Sequence, residues 1–305
     1  MKIIFLGTPE FAVLPLEKLI NSHHEVVAVV TQPDRPVGRK GIITPPPVKV
    51  VAESYGIKVF QFSSIRKEGI EPLTTLGADA MITCAYGQIL SREVIDICPF
   101  GVYNIHASLL PKYRGASPIQ FAIINGEKTT GVTIMKTDEG LDTGDIVKSF
   151  PLDILKDETF GSLAERLSLL GAENIVSVLD DIESGRVVFT AQSGISSVVK
   201  TIKNEDCIID FNKNCEEVKN LINGLSPAPC AYTFLNGKRL KIYEASVSDM
   251  EGEVGFVSAE NGKIKVCCLK GSIEIKKLQE EGGKVMDAKS YLSGRKIKTG
   301  DFLGK

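Results

Sequence analysis

No apolar run in the chain approaches the roughly twenty residues that a membrane-spanning helix needs. The opening MKIIFLGTPEF reaches Gly-Thr-Pro-Glu within a few residues, which suits a buried strand and not a secretory signal. Both absences point to a cytoplasmic protein with no membrane partner. Cysteine chemistry is equally sparse. The seven residues are odd in number, scattered and without a CxxC pair, so they supply neither a disulfide framework nor a zinc site. His23 and His24 adjoin in what reads as a surface turn, and no Cys/His set has metal-ligand spacing; no metal is expected. Charge of one sign is lacking too, since a net charge of −2 argues against a general nucleic-acid binder. Residues 1–190 carry 18 Lys and Arg against 23 Asp and Glu, and residues 191–305 carry 18 against 15. The second half could meet a polyanion weakly, although from charge alone it reads first as a solvated face of mixed sign.

What is present is an ordinary globular composition, 43% hydrophobic and 24% charged, in a chain long enough for two domains. The first half alternates strand-like and helix-like runs. KIIFLG, EVVAVVT, ADAMITCAY and GVYNIHA read as strands; FAVLPLEKLI and VKVVAESYG read as helices, the second closed by Gly56. Thr8 is expected to cap the first helix, with Pro9 in its first turn. The alternation predicts an α/β domain, a Rossmann-like, doubly wound and mostly parallel sheet over 1–189, finished by a long helix in TFGSLAERLSLLGAENIVSVLDDIESG. Residues 190–205 suit a linker. Over 206–305 a short helix, CEEVKNLINGL, precedes alternating runs with hairpin signals at Asn236-Gly237 and Asn261-Gly262. These predict a smaller antiparallel β-barrel of the OB type.

In such sheets ligands lie beyond the carboxyl ends of the strands, so the loops after Gly7, Thr31, Tyr86 and His106 should share one rim. A dinucleotide is not favoured there, because GTPEF has one glycine where GxGxxG needs three. One of only three histidines stands in NIHASLLPKYRGASPIQ. Asn104 and His106 are two apart, so a strand sends both side chains to one face. An amide donor beside an imidazole suits acyl transfer to nitrogen, with the amide on the oxyanion and the ring managing a proton or stabilising charge. A carboxylate should orient the ring. DEGLDTGDI offers Asp138, Glu139, Asp142 and Asp145, and residue chemistry alone leaves the four nearly equal.

NIHASLLPKYRGASPIQ followed by GVTIMKTDEGLDTGDI resembles the signature of the folate-dependent formyltransferases. GTPEFAV, TQPDRPVGRKGIITPPPVK, AYGQIL and LSPAPCAYTFLNGKRLKIYEA extend the resemblance in order over essentially the whole chain. It implies a catalytic set of Asn104, His106 and Asp142, and a folate-binding segment at Ser108, Leu109, Leu110 and Pro111, with Tyr86 to Leu90 beside it. It also implies 10-formyltetrahydrofolate as formyl donor and methionyl initiator tRNA as acceptor, met by Arg35, Arg39 and Lys40 of the long Gln32 to Lys49 loop and by cations of the C-terminal domain. A monomer is expected. Formylation of an amino-sugar nucleotide, or hydrolysis of the folate, are the alternatives from the same scaffold.

Overall fold

The computed structural model describes residues 1–38, 41–294 and 296–304, which gather into two compact units. The first comprises Met1–Gly115, Gly131–Leu152 and Ala164–Val198; the second comprises Ala116–Thr130, Asp153–Leu163 and the chain from Val199 onward.

In the first unit, β1 (Lys2–Gly7) and β2 (Glu25–Thr31) are continuous apolar runs because both faces of the sheet are covered. A two-stranded antiparallel hairpin follows, β3 (Arg35–Val37) and β4 (Ile42–Thr44), within the stretch Gln32 to Lys49 that the sequence presents as a long loop. The sheet continues with β5 (Val59–Gln61), β6 (Ala80–Cys84) and β7 (Val102–His106). After the short β8 (Arg114–Gly115) come β9 (Thr129–Lys136) and β10 (Ile146–Asp153). The strand order is β10-β9-β7-β6-β1-β2-β5, and β7-β6-β1-β2-β5 are parallel, with β9 antiparallel to β7. The chain therefore builds outward from β1 through β2 to β5, then returns to the other flank of β1 with β6. That reversal is a topological switch point, and sheets of this kind hold their ligands beyond the strand ends there, which are Gly7 and Cys84.

The helix Phe160–Glu183 buries Leu167, Ile175, Val178, Leu179 and Ile182 at helical spacing. Gly171 lets it lie against β7, since a Cβ there would stand 2.9 Å from Ile105 Cγ2. One local expectation fails. Thr8 caps no helix; its hydroxyl donates instead to Tyr86 O at 2.9 Å, and the turn Glu10–Ala12 starts from Pro9 without a side-chain cap. The Thr8 hydroxyl oxygen takes a tertiary donor as well, Gln32 N at 3.4 Å, in place of a local amide.

The second unit is built on a six-stranded antiparallel sheet, the architecture expected for its sequence. The chain enters this unit through β11 (Val198–Val199), and the sheet holds β12 (Ala231–Leu235), β13 (Lys238–Ser248), β14 (Val257–Glu260), β15 (Lys263–Cys267), β16 (Ser272–Glu280) and β17 (Met286–Asp287). Asn236 and Gly237, with φ of 49° and 73°, close β12 on β13, and Asn261 and Gly262, at 53° and 75°, close β14 on β15. Paired left-handed residues match the twist of the strands they join. Ile222, Ile242, Ile264, Ile273 and Leu278 form the core of this unit. The helix Cys215–Gly224 seals one side, started by a capping box between Asn214 and Glu217.

Candidate active site

Three loops meet at the switch point. Thr8 Oγ1 and Gln32 Nε2 both donate to Tyr86 O, at 2.9 and 3.2 Å, so the ends of β1, β2 and β6 are tied together. Gln61 Nε2 donates to Gln32 O and to Asp34, and Lys49 Nζ lies 2.8 Å from Asp34 Oδ2. These bonds hold the Asp34 carboxyl below its ordinary pKa and anchor the foot of the β3–β4 hairpin. Burial raises the Tyr86 phenol to about 12, and its hydroxyl has no hydrogen-bond partner among the described residues.

The end of β7 carries the polar pair. Register sets Thr83 of β6 against Asn104, and Thr83 Oγ1 donates to Asn104 Oδ1 at 2.9 Å. With its oxygen engaged, the amide turns Nδ2 toward Asp142, 3.3 Å from Oδ1. A carboxamide has two N–H groups, so a second donor remains for a ligand. His106 is 5% exposed, and its Nε2 stands 2.9 Å from Tyr113 O. A carbonyl can only accept, which places a ring proton on Nε2. Nδ1 then faces Asp142 Oδ2 at 3.6 Å, an ion-pair distance longer than a hydrogen bond.

Among the four acidic candidates, Asp142 alone stands against both Asn104 and His106 in the contacts just described. Its Oδ2 also accepts from Gly115 N at 2.7 Å. Its φ of 52° is left-handed, a conformation Asp tolerates better than most residues but which costs on the order of 1 kcal/mol or more. Asp138 instead accepts from Gly140 N and Thr143 Oγ1 and shapes the turn from within. Asp145 contributes its backbone, taking Lys136 N at 2.8 Å. Gly144 is required at its position, because a Cβ there would fall 1.8 Å from Lys136 O.

Ser108, Leu109, Leu110 and Pro111 follow directly on β7. Ser108 and Leu110 are buried, and the segment is braced by Thr133, whose hydroxyl donates to Ser108 O at 2.7 Å and accepts from Leu110 N at 3.2 Å. The braces fix this largely apolar segment directly after His106 in the chain, and a flat heterocycle needs apolar neighbours of that kind. Arg35 lies on the exposed edge of β3 with Nη2 on Gln32 Oε1. Arg39 and Lys40 lie outside the described residues.

Sequence reasoning missed Gln192 and Arg114. Gln192 Nε2 donates to Asp142 O and Gly144 O at 2.9 and 2.8 Å, while its Oε1 accepts from Arg114 Nε and Nη2. The segment around it has no sustained period, and only the isolated amide among small residues could have flagged it.

The family model described as "Formyl transferase" matches residues 1–179, and "Formyl transferase, C-terminal domain" matches 201–296. A methionyl-tRNA formyltransferase of Geotalea daltonii is 46% identical over the full length of this chain and 98% of its own. In solved structures, an N-formyltransferase of Helicobacter canadensis in complex with folinic acid and dTDP-3-aminofucose superposes with a TM-score of 0.69 at 20% identity, covering 90% of this chain and 98% of that one. The methionyl-tRNA formyltransferase of Clostridium thermocellum gives 0.57 at 20% identity with the same coverage. These two structural likenesses speak to the fold.

Proposed function

The chain belongs to the formyl transferase family, and from that premise we propose that it moves the formyl group of 10-formyltetrahydrofolate onto the α-amine of methionyl initiator tRNA. The acceptor rests on the full-length identity to methionyl-tRNA formyltransferases; the donor rests on the family and on the folate analogue in its structural neighbour. The observation that carries the chemistry is the convergence of Asn104, His106 and Asp142 at the end of β7.

The neutral amine attacks the formyl carbon, and the C–O double bond opens to an oxyanion. The free N–H of Asn104 donates to that oxygen, and Thr83 and Asp142 fix the amide in advance, so the donor does not reorganise as charge develops. On collapse the carbon–N10 bond breaks, and the proton leaving the amine replaces carbon on N10. His106 serves that transfer through Nδ1, the nitrogen not committed to Tyr113 O, with Asp142 3.6 Å away to stabilise a charged ring. Ser108 to Pro111 and Tyr86 to Leu90 wall the folate.

Residues 1–189 carry the chemistry, 190–205 link, and 206–305 meet tRNA phosphates through Lys238, Arg239 and Lys241. Arg35, Arg39 and Lys40 serve the acceptor end. The β3–β4 hairpin supports this, since it exposes Val37, Ile42 and Ile43 beside Arg35, apolar surface a folded chain seldom leaves bare without use. On this reading the enzyme is a cytoplasmic monomer; the described cysteines are free, as a reducing compartment keeps them.

The test is to supply 10-formyltetrahydrofolate with methionyl initiator tRNA, with an amino-sugar nucleotide, or with no acceptor, and to follow the formyl group. Formyl-methionyl-tRNA as the one fast product is expected. Transfer to the sugar or to water would keep the site and overturn the acceptor.

A further inference from the structure

Tyr113, Arg114 and Gly115 each hold one member of the site. Tyr113 O takes His106 Nε2, Gly115 N–H is given to Asp142 Oδ2, and the Arg114 guanidinium grips Gln192 Oε1 at 2.7 and 3.1 Å. The segment is itself fastened by Ser197, whose Oγ accepts from Tyr113 N at 2.8 Å and whose carbonyl accepts from Arg114 N at 2.9 Å. Gln192 and Ser197 thus form a strap across the site on a stretch that sequence alone presents as a connection.

We infer that Gln192 is the positioning residue that sets the Asp142 loop, and that Arg114 sets Gln192; the inference rests on the formyl transfer proposed above. A carboxamide offers two N–H donors and a carbonyl with two lone pairs. All four are engaged here: both donors on the carbonyls of Asp142 and Gly144, both lone pairs on Arg114. Turning the amide over would press its oxygen against two carbonyls and its NH2 against a guanidinium, so Arg114 selects one orientation. The two carbonyls bracket Thr143 and include that of Asp142 itself, whose left-handed φ of 52° the loop must sustain. The Asp138 bonds to Gly140 and Thr143 are exposed and do not reach the Asp142 backbone. Gln192 touches no reacting atom in this account; it acts through Asp142 and, by that route, on Asn104 and His106.

The experiment compares Gln192→Ala, Gln192→Glu and Arg114→Ala. Gln192→Glu keeps and strengthens the bond to Arg114 but removes both donors to the loop, so a residue needed only as an anchor for Arg114 would survive the change. Expected are a kcat lower by about 10- to 100-fold in both Gln192 variants, the scale of a misplaced catalytic group. KM for folate and acceptor should stay within about threefold and the thermal midpoint near wild type. Arg114→Ala should lose less, and Arg114→Ala/Gln192→Ala should be no slower than Gln192→Ala, because the two act in series. Amide hydrogen exchange over residues 138–145, read in the same proteins, should speed up in Gln192→Glu. A Gln192→Glu enzyme with at least a third of wild-type kcat and unchanged exchange overturns the inference. If the wild-type protein formylates no acceptor, the proposed function falls, while the exchange result still decides whether Gln192 holds the loop.

Discussion

His106 and His24 are both buried, 5% and 4% exposed, both stand beside an aspartate, and they lie at opposite ends of one parallel sheet. His106 ends β7. His24 directly precedes β2, a strand of seven residues and so about 23 Å long. At the carboxyl ends of the strands, Asp142 is aimed by a backbone N–H, by Asn104 and by a strained backbone that Gln192 spans. At the amino ends, Asp180 sits on the helix Phe160–Glu183 with its side chain 38% exposed, 2.7 Å from His23 Nε2 and 3.3 Å from His24 Nε2. The Met1 ammonium lies 3.2 Å from His24 Nδ1 and 3.4 Å from Glu183 Oε1. An ammonium can only donate, so the neutral His24 ring keeps its proton on Nε2 and turns no lone pair toward Asp180. The ligand atoms of His23, His24 and Asp180 come within 4.8 Å of one another, with His24 Nδ1 engaged by the Met1 ammonium. A histidine beside an acid is therefore no site by itself; the strand end it occupies and the way the acid is held make the difference.

The largest effect should separate the two ends outright. Asn104→Ala removes an oxyanion donor and Asp142→Asn removes the charge facing His106, and each should lower single-turnover formyl transfer by about 10²- to 10³-fold. Asp180→Asn, which breaks the corresponding acid–histidine pairs at the other end, should change the same rate less than about twofold. If Asp180→Asn were equally slow, or either site variant were within threefold of wild type, the contrast would vanish.

How much of this was legible follows the range of each interaction. β1, β2, β6 and β7 could be read because burial on both faces makes short continuous apolar runs, and the helix Phe160–Glu183 because burial of one face imposes a helical period. The two Asn-Gly hairpins could be read because their turns need left-handed φ at adjacent positions. Thr8 was misread, since its acceptor lies 78 residues away at Tyr86. The choice of Asp142 over Asp138 and Asp145 came from resemblance and not from the residues. What distinguishes it physically is one left-handed φ, the Gly115 N–H 27 residues before it and the Gln192 amide 50 residues after it, none of which leaves a local pattern. The β3–β4 hairpin was hidden in the same way, as three-residue strands flanked by prolines carry too little alternation to register.

A middle-sized effect sharpens the account of how Asn104 is held. Thr83 is buried, and its hydroxyl donates to Asn104 Oδ1 at 2.9 Å and lies 3.4 Å from Tyr103 O. Thr83→Val keeps the shape and deletes the donor, freeing the amide to turn its oxygen toward the developing oxyanion. A net hydrogen bond is worth about 1 kcal/mol, so kcat should fall roughly fivefold with little change in KM. An unchanged kcat would mean that Asp142 alone orients the amide.

The smallest effect belongs to the amino ends and appears in stability, not rate. Burial chiefly, then the Met1 ammonium and His23, lower the His24 pKa, against the opposing pull of Asp180 and Glu183. The folded protein thus takes this proton less readily than the unfolded chain, whose histidine titrates near 6.5. As pH falls below about 6.5 the unfolded state gains a proton that the folded state resists, and stability present above that pH is lost toward the lower folded value. Thermal midpoints between pH 7.5 and 5.5 should fall more steeply for the wild type than for His24→Gln, whose side chain cannot titrate. Equal slopes would show that the Asp180 and Glu183 carboxylates offset burial in full. Formyl transfer measured at a fixed pH in the same variant should stay within about twofold of wild type, because His24 lies a strand's length from the Asn104 amide.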